Sequence, residues 1–300
     1  MLIDRRKNHR RRGQVPFGFG RIKWVTTKWL EEHLEDENLS ILDVQPDVRD
    51  YIKAHIRGAV YMSEKLLRIS VGGIPGKWIS PEAAQSEFRR LGLTPSKPVV
   101  IYTGTGEYRG WGDGLDQFMV AYSLARFGHE KVLLLDGGFD RWIKEGRPIN
   151  LTFPEIKETD FPIQVQKEMF VDSKEFKNLV AWEDALIVDA RPEHYYAGEG
   201  PWLRNGHVPG AVSLPWQELV EDNNPSKLKE EDKLFKTIDR IGIHDEIPII
   251  CMSGTGREAT VLYTILKHYF DFATVKLYEG SFTEWIANPS NPVLLGTEPR

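Results

Sequence analysis

The feature that most constrains this chain is internal repetition. Ser40-Ile41-Leu42-Asp43-Val44 reads as a buried strand ending on an acid, and Leu186-Ile187-Val188-Asp189-Ala190-Arg191 reads the same way. His55-Ile56-Arg57-Gly58-Ala59-Val60 recurs as His207-Val208-Pro209-Gly210-Ala211-Val212. Thr103-Gly104-Thr105-Gly106 recurs as Ser253-Gly254-Thr255-Gly256, and Leu135-Asp136-Gly137-Gly138-Phe139 with Trp142 recurs as Tyr278-Glu279-Gly280-Ser281-Phe282 with Trp285. Asp43 and Asp189 are 146 residues apart, Gly58 and Gly210 152, and Gly104 and Gly254 150. A near-constant offset at three landmarks is the mark of a duplicated unit. The chain is therefore expected to carry two copies of one domain, over 22–149 and 169–296, with a linker at 150–168 and a tail at 1–21.

Within each copy, short apolar runs alternate with helical patterns. The first copy has a helix over Val25 to Leu34, a strand at Ser40 to Val44, a helix from Pro81 to Leu91 with Ser80 as its cap, a strand at Val99 to Tyr102, a helix from Leu115 to Phe127 and a strand at Val132 to Leu135. In the second copy Phe170 to Leu179 reads as a helix. This alternation predicts an α/β fold in which each copy is a small parallel sheet flanked by helices on both faces, with ligands at the carboxyl ends of the strands.

Composition removes several classes of function. A net charge of -5 with mixed signs is unlike a nucleic-acid binder. No apolar run is long enough to span a membrane. The basic block Arg5 to Arg12 has no apolar stretch behind it, so it reads as a solvated tail rather than a secretory signal.

The chain holds one cysteine, Cys251, in Ile250-Cys251-Met252-Ser253-Gly254-Thr255-Gly256-Arg257-Glu258-Ala259. An apolar run leads into it and apolar residues at helical spacing follow, which places Cys251 between a strand end and a helix start. A thiol there is expected to ionise easily: its ordinary pKa of about 8.5 falls to about 3.5–7.5 beside a helix N-terminus or an arginine. Gly254 and Gly256 would bring loop N–H groups together, and Arg257 would return a guanidinium to the same point. The expected product is a cradle for an anionic sulfur or oxyanion. In the first copy Ile101 stands where Cys251 stands, so that copy is expected to be inactive.

These motifs together resemble the tandem-domain rhodanese family, the thiosulfate and 3-mercaptopyruvate sulfurtransferases. The likeness covers residues 22 to 296 and rests on Asp189-Ala190-Arg191, Gly206 to Val212, the loop from Cys251 and Leu277 to Trp285. It implies an inactive first domain, and a second domain in which Cys251 takes the outer sulfur of thiosulfate or 3-mercaptopyruvate as a persulfide. A thiol, cyanide or thioredoxin-like acceptor then collects that sulfur, with no metal or organic cofactor. Met252, Ser253, Gly254, Thr255, Gly256 and Arg257 would form the anion-binding loop, with Arg191, Tyr195 and Arg204 as further substrate contacts. Nucleic acid and membrane are not expected as partners. A monomer is expected, in the cytoplasm, with the periplasm left open.

Two departures from the family stand out. Family loops usually run six residues from the cysteine with Thr or Arg last, whereas Arg257 is seventh; and Tyr195 stands where the main subgroups have arginine. The Cys-x5-Arg spacing keeps a phosphatase or arsenate reductase as a rival, and a non-catalytic sulfur carrier or interaction module as another. Asp189 and Arg191 are expected to form an ion pair, and His207 to be a turn residue. His194 carries no partner motif. Lys77 and Trp78 are candidates to reach the site from the first domain.

Overall fold

The structure is a computed structural model and describes residues 14–106, 108, 110 and 112–300. Two five-stranded parallel sheets are present. The first contains β1 (Ile22–Val25), β2 (Ser40–Asp43), β3 (Ala59–Tyr61), β6 (Val99–Tyr102) and β7 (Val132–Leu135) in the order β1-β7-β6-β2-β3. The second contains β8 (Phe170–Val171), β9 (Leu186–Asp189), β10 (Ala211–Ser213), β13 (Ile249–Met252) and β14 (Val275–Tyr278) in the order β8-β14-β13-β9-β10. The two orders are the same topology, so the repeat seen in the sequence is a repeat in space. The central strands are buried along their whole length, as expected of sheets covered on both faces.

Local chemistry explains most element boundaries. Helix Pro81–Arg90 starts with Ser80 Oγ accepting the Ala83 N–H and proline in the first turn. Two predicted helices begin later than expected. Val25 belongs to β1 and the helix is Thr27–Glu32, capped by Thr26; Phe170 belongs to β8 and the helix is Ser173–Trp182, capped by Asp172. In each case the residues before the cap pair with the neighbouring parallel strand, Ile22 with Val132 and Phe170 with Leu277. Such short apolar edges carry no period of their own.

Two antiparallel hairpins went unpredicted, and they join the halves. In the first half β4 (Arg68–Val71) and β5 (Ile74–Trp78) turn at Gly72-Gly73, both at positive φ. In the second half β11 (Val220–Glu221) pairs with β12 (Asn224–Leu228). Each hairpin lies over the opposite domain. A Cβ at Gly76 would stand 2.9 Å from Thr255, and Lys77 pairs with Glu284 at 2.6 Å. Reciprocally, Gly137 N–H donates to Ser226 O and Asn224 Nδ2 donates to Gly137 O. Between the hairpins, helices Leu115–Arg126 and Ala259–Thr264 pack through Tyr122 and Tyr263, ring centroids 5.1 Å apart. Arg126 is paired with Glu279 beside them. One apolar cluster runs through both domains.

The basic block Arg5 to Arg12 lies outside the described residues. The rest of the expected tail is docked rather than solvated: Phe17 bridges to Trp24, and Phe19 N–H donates to His268 O. The 150–168 stretch also packs down, with Phe161 buried and Gln164 N–H bonded to Phe127 O. No helix among the described residues is long and apolar enough to cross a membrane.

Candidate functional site: the loop after the central strand of the second sheet

The chain leaves the sheet at Ser253, one residue after β13 ends, and turns through Gly254-Thr255-Gly256-Arg257-Glu258 into helix Ala259–Thr264. Ser253 Oγ folds into this loop and accepts the Gly256 N–H at 3.0 Å, while Ser253 N–H donates to Ser281 Oγ at 3.1 Å. Thr283 holds the far side, its N–H and Oγ both donating to Gly254 O. The indole of Trp202 roofs the loop: a Cβ at Gly254 would meet it at 2.8 Å, and its Nε1 donates to Thr283 Oγ. At Gly256, with φ +86°, a Cβ would meet Glu279 O at 2.9 Å and the Trp78 ring at 3.1 Å. Glycine is thus required by close packing at both positions, and at Gly256 by backbone geometry as well. From the first domain, Arg68 donates to Thr255 Oγ at 2.9 Å and to Thr255 O at 3.3 Å.

Cys251 is not where the sequence reading placed it. It is the third residue of β13, paired with Val188 and Leu277 on either side, and it is fully buried in the apolar cluster with Ile249, Ala259 and Leu262. Alternation along the strand sends Met252 to the opposite apolar cluster, so neither side chain lines the loop. Burial pushes the Cys251 thiol up, the reverse of the expected depression, because no compensating charge or donor reaches it. The same register accounts for the seventh-place arginine. Met252 pairs with Asp189 just as Tyr102 pairs with Asp43, so the turning segment starts at Ser253 and at Thr103. Counted from Ser253 the loop is six residues long, with no insertion and with Glu258 last.

Arg257 does not return to the loop. Its guanidinium reaches the first domain and pairs with both oxygens of Asp113, with Asp116 and with Glu64. These carboxylates hold its proton more firmly than usual despite burial. Asp116 is pushed up to about 6, chiefly by its own burial, with Arg257 opposing. Arg204 is also drawn away, onto the carbonyl oxygens of Asn288 and Asn291 at the end of helix Ser281–Ala287. Tyr195 packs edge-on against Trp202 and so supports the roof rather than the loop.

Arg191 lies beneath the roof. Its Nε and one terminal nitrogen hold the carboxylate of Asp189, and the same nitrogen donates to Gly206 O; both partners of the pair are fully buried. The guanidinium lies 5.0 Å from the Trp202 ring and 4.1 Å from the Phe282 ring, which meet edge to face beside it, and its remaining nitrogen, Nη1, has no partner among the described residues. His207 sits in its turn, stacked on Tyr196, with its ring nitrogens at the carbonyls of Tyr196 and Glu298. Burial holds it below the ordinary histidine range. Trp78 does reach the loop at Gly256, whereas Lys77 is committed to Glu284.

Sequence reasoning missed Ser281, Thr283, Trp202 and Arg68. Ser281 and Thr283 lie inside the repeated Leu277-to-Trp285 motif and were findable there; Trp202 and Arg68 carried no local signal.

Two parallel sheets, each ending in a glycine-rich loop after its central strand and clasped by reciprocal hairpins, define a duplicated α/β protein with one built loop per half. A rhodanese-like domain model matches residues 26–145 and again 172–288. The chain belongs to the rhodanese family, as a tandem-domain sulfurtransferase. It is 32% identical over 275 residues to a protein of Synechococcus elongatus provisionally named as a thiosulfate sulfurtransferase, covering 89% of this chain and 83% of that one. It is 30% identical over 286 residues to the 3-mercaptopyruvate sulfurtransferase of Escherichia coli K12, covering 90% and 97%. The crystal structure of SseA from Escherichia coli, a 3-mercaptopyruvate enzyme, superposes with a TM-score of 0.76 at 29% identity, covering 86% of this chain and 98% of that one.

Proposed function

We propose that the sulfurtransferase reaction takes place over the loop Ser253 to Glu258, where a small anionic donor gives sulfur, the outer sulfur of thiosulfate or the thiol sulfur of 3-mercaptopyruvate, to cyanide, a small thiol or a thioredoxin-like acceptor. The observation that carries this reading is a difference between the two loops. In the first, the carboxylate of Asp140 accepts both the N–H and the Oγ of Thr105, at 2.9 Å each. In the second, the corresponding residue is Thr283, which points its donors at Gly254 O and brings no negative charge. At the Gly254 turn the second loop has no such carboxylate; its own acid, Glu258, closes the loop within electrostatic reach of Arg68, which donates to Thr255 Oγ. An anionic donor is favoured where polar hydrogens converge and the carboxylate that fills the first loop is absent.

The persulfide expected on Cys251 has less support than the loop itself, since that thiol is sealed in the core and held protonated by burial. No metal or organic cofactor enters this scheme, and a monomer working in the cytoplasm is the accompanying expectation. The test is sulfite or pyruvate release with a donor panel, using cyanide and dithiothreitol as acceptors, alongside Trp fluorescence during donor titration. Saturable release together with a Trp202-dependent signal is expected. Absence of both, in folded protein, sinks the reading.

A further inference from the structure

The arginine that the second loop sends across the domain boundary meets more acid than it can balance. Arg257 donates to both oxygens of Asp113 at 2.5 and 3.0 Å, to Asp116 at 3.2 Å and to Glu64 at 3.1 Å. Arg68, the other cation here, stands 3.8 Å from Glu64 and within electrostatic reach of Glu258 and Asp116. Four carboxylates thus meet two guanidinium groups, and the cluster is largely shut away from water: side-chain exposure is 6% at Glu64, 8% at Asp116 and 17% at Arg257. One oxygen of Glu64 and one of Glu258 have no hydrogen-bond partner among the described residues. The second half does not return this contact, because its strand-to-helix segment stops at Glu258, whereas that of the first half continues to Gly114 and so carries Asp113. We propose that the crossing is a proton-operated latch between the halves: with one proton taken up among its acids, the first half is held more firmly on the loop Ser253 to Glu258, and with that proton released the contact opens more often. The latch concerns the fit of the two halves and stands whether or not a donor binds at the loop.

Charge crowding gives the direction. Carboxylates gathered out of water around too few cations cannot all stay ionised, so one of them takes a proton first. Asp116 is placed to be that one. It faces Arg257 from the second loop, Asp113 from the turn before its own helix, Glu64 from the 3₁₀ turn Glu64–Leu67, Arg68 from β4 and the Tyr61 hydroxyl from β3. Burial, followed by Asp113 and Glu64, pushes it up to about 6, with Arg257 opposing. Parting the halves returns Asp116 to water and toward the ordinary value of 3.8. The proton therefore binds the closed contact more tightly than the open one, and by linkage acid favours closure. The gain sets in as pH falls through about 6 and is complete near 3.8. Asp113 and Glu64 still hold the guanidinium once Asp116 is neutral, so the contact survives the loss of one charge. A proton rather than a metal ion suits the cluster, since no group of three or more acids among the described residues is placed to hold one.

The experiment is hydrogen exchange on the whole chain without substrate, followed in a peptide spanning 253–258 from about pH 7.5 to about pH 5 and corrected for the intrinsic effect of pH on exchange. Protection there should rise about tenfold on acidification, since one pH unit below the midpoint is worth about one decade in the opening equilibrium. Asp116→Asn, neutral at every pH, should abolish the rise. Asp113→Asn removes a like charge beside Asp116 and should move the rise to lower pH, which keeps the latch open to refutation if Asp116→Asn does not fold. A flat profile in the unaltered chain, or an equal rise in Asp116→Asn, overturns the latch. So does a rise that Asp113→Asn leaves in place.

Discussion

The two loops follow one backbone plan and end in opposite chemical states. In the first half, Asp140 occupies the turn at Thr105, and Asp50 accepts the Tyr108 N–H at 2.7 Å while crowding Gly106. In the second half, Thr283, Ser281 and Trp202 meet the turn at Ser253 and Gly254 with neutral groups, while Arg68 and Glu258 stand at its other end. The strand-end acids differ in parallel. Asp189 is clasped by Arg191, two residues on; the equivalent of Arg191 is Gln45, and Asp43 is held by Gln45 and by Tyr102 at 2.6 Å. Without a cation, burial pushes Asp43 up to about 6, with Tyr102 and Gln45 opposing. The backbone decides where a loop sits; single side-chain exchanges, Asp140 against Thr283, decide which groups its turn meets.

The largest test of that contrast is stability. Arg191→Ala strands the Asp189 carboxylate in the core and should cost about 3–5 kcal/mol, whereas Gln45→Ala removes neutral hydrogen bonds and should cost about 1 kcal/mol. Chemical denaturation of both variants measures the asymmetry, and equal losses would erase it. The next effect is on the ligand. Thr283→Asp gives the second loop the carboxylate of the first and should weaken thiosulfate binding about tenfold, roughly 1.4 kcal/mol, read from tryptophan fluorescence. An unchanged affinity would mean that the donor sits elsewhere.

The smallest effect lies in pH. Because Asp43 in the folded chain holds its proton at a pH where the unfolded chain has released it, its contribution to stability grows as pH falls from about 6 toward the ordinary value of 3.8 and is lost as pH rises through about 6. The slope is at most about 1.4 kcal/mol per pH unit. Stability of the native chain relative to Asp43→Asn should therefore improve on acidification through that window. A flat difference would remove the electrostatic part of the comparison.

Much of this molecule was legible in its sequence. The duplication, the parallel sheets, the Asp189–Arg191 pair and the turn role of His207 follow from spacing and residue type, because they are local or repeat exactly once per copy. The position of Cys251 was misjudged by two residues. Ile249-Ile250-Cys251-Met252 reads equally well as strand followed by cysteine loop or as strand containing cysteine, and only pairing with Val188 and Asp189 separates the two. Arg257 was misjudged for another reason: its partners Glu64, Asp113 and Asp116 lie more than a hundred residues away, in the other half. The hairpins were missed because their strands are short and partly exposed, so they carry little periodic signal.

Those hairpins have a consequence for how the molecule can be taken apart. Since Arg68 and Gly76 of one half border the loop of the other, while Ser226 and Asn224 return the arrangement, neither half owns a whole mouth. Cutting the chain near residue 160 would leave two fragments that each lack a wall, and any tilt that widened one entrance would tug on its twin. Duplication has here produced a mutual dependence: the half whose loop holds Asp140 is a structural component of the other half's loop.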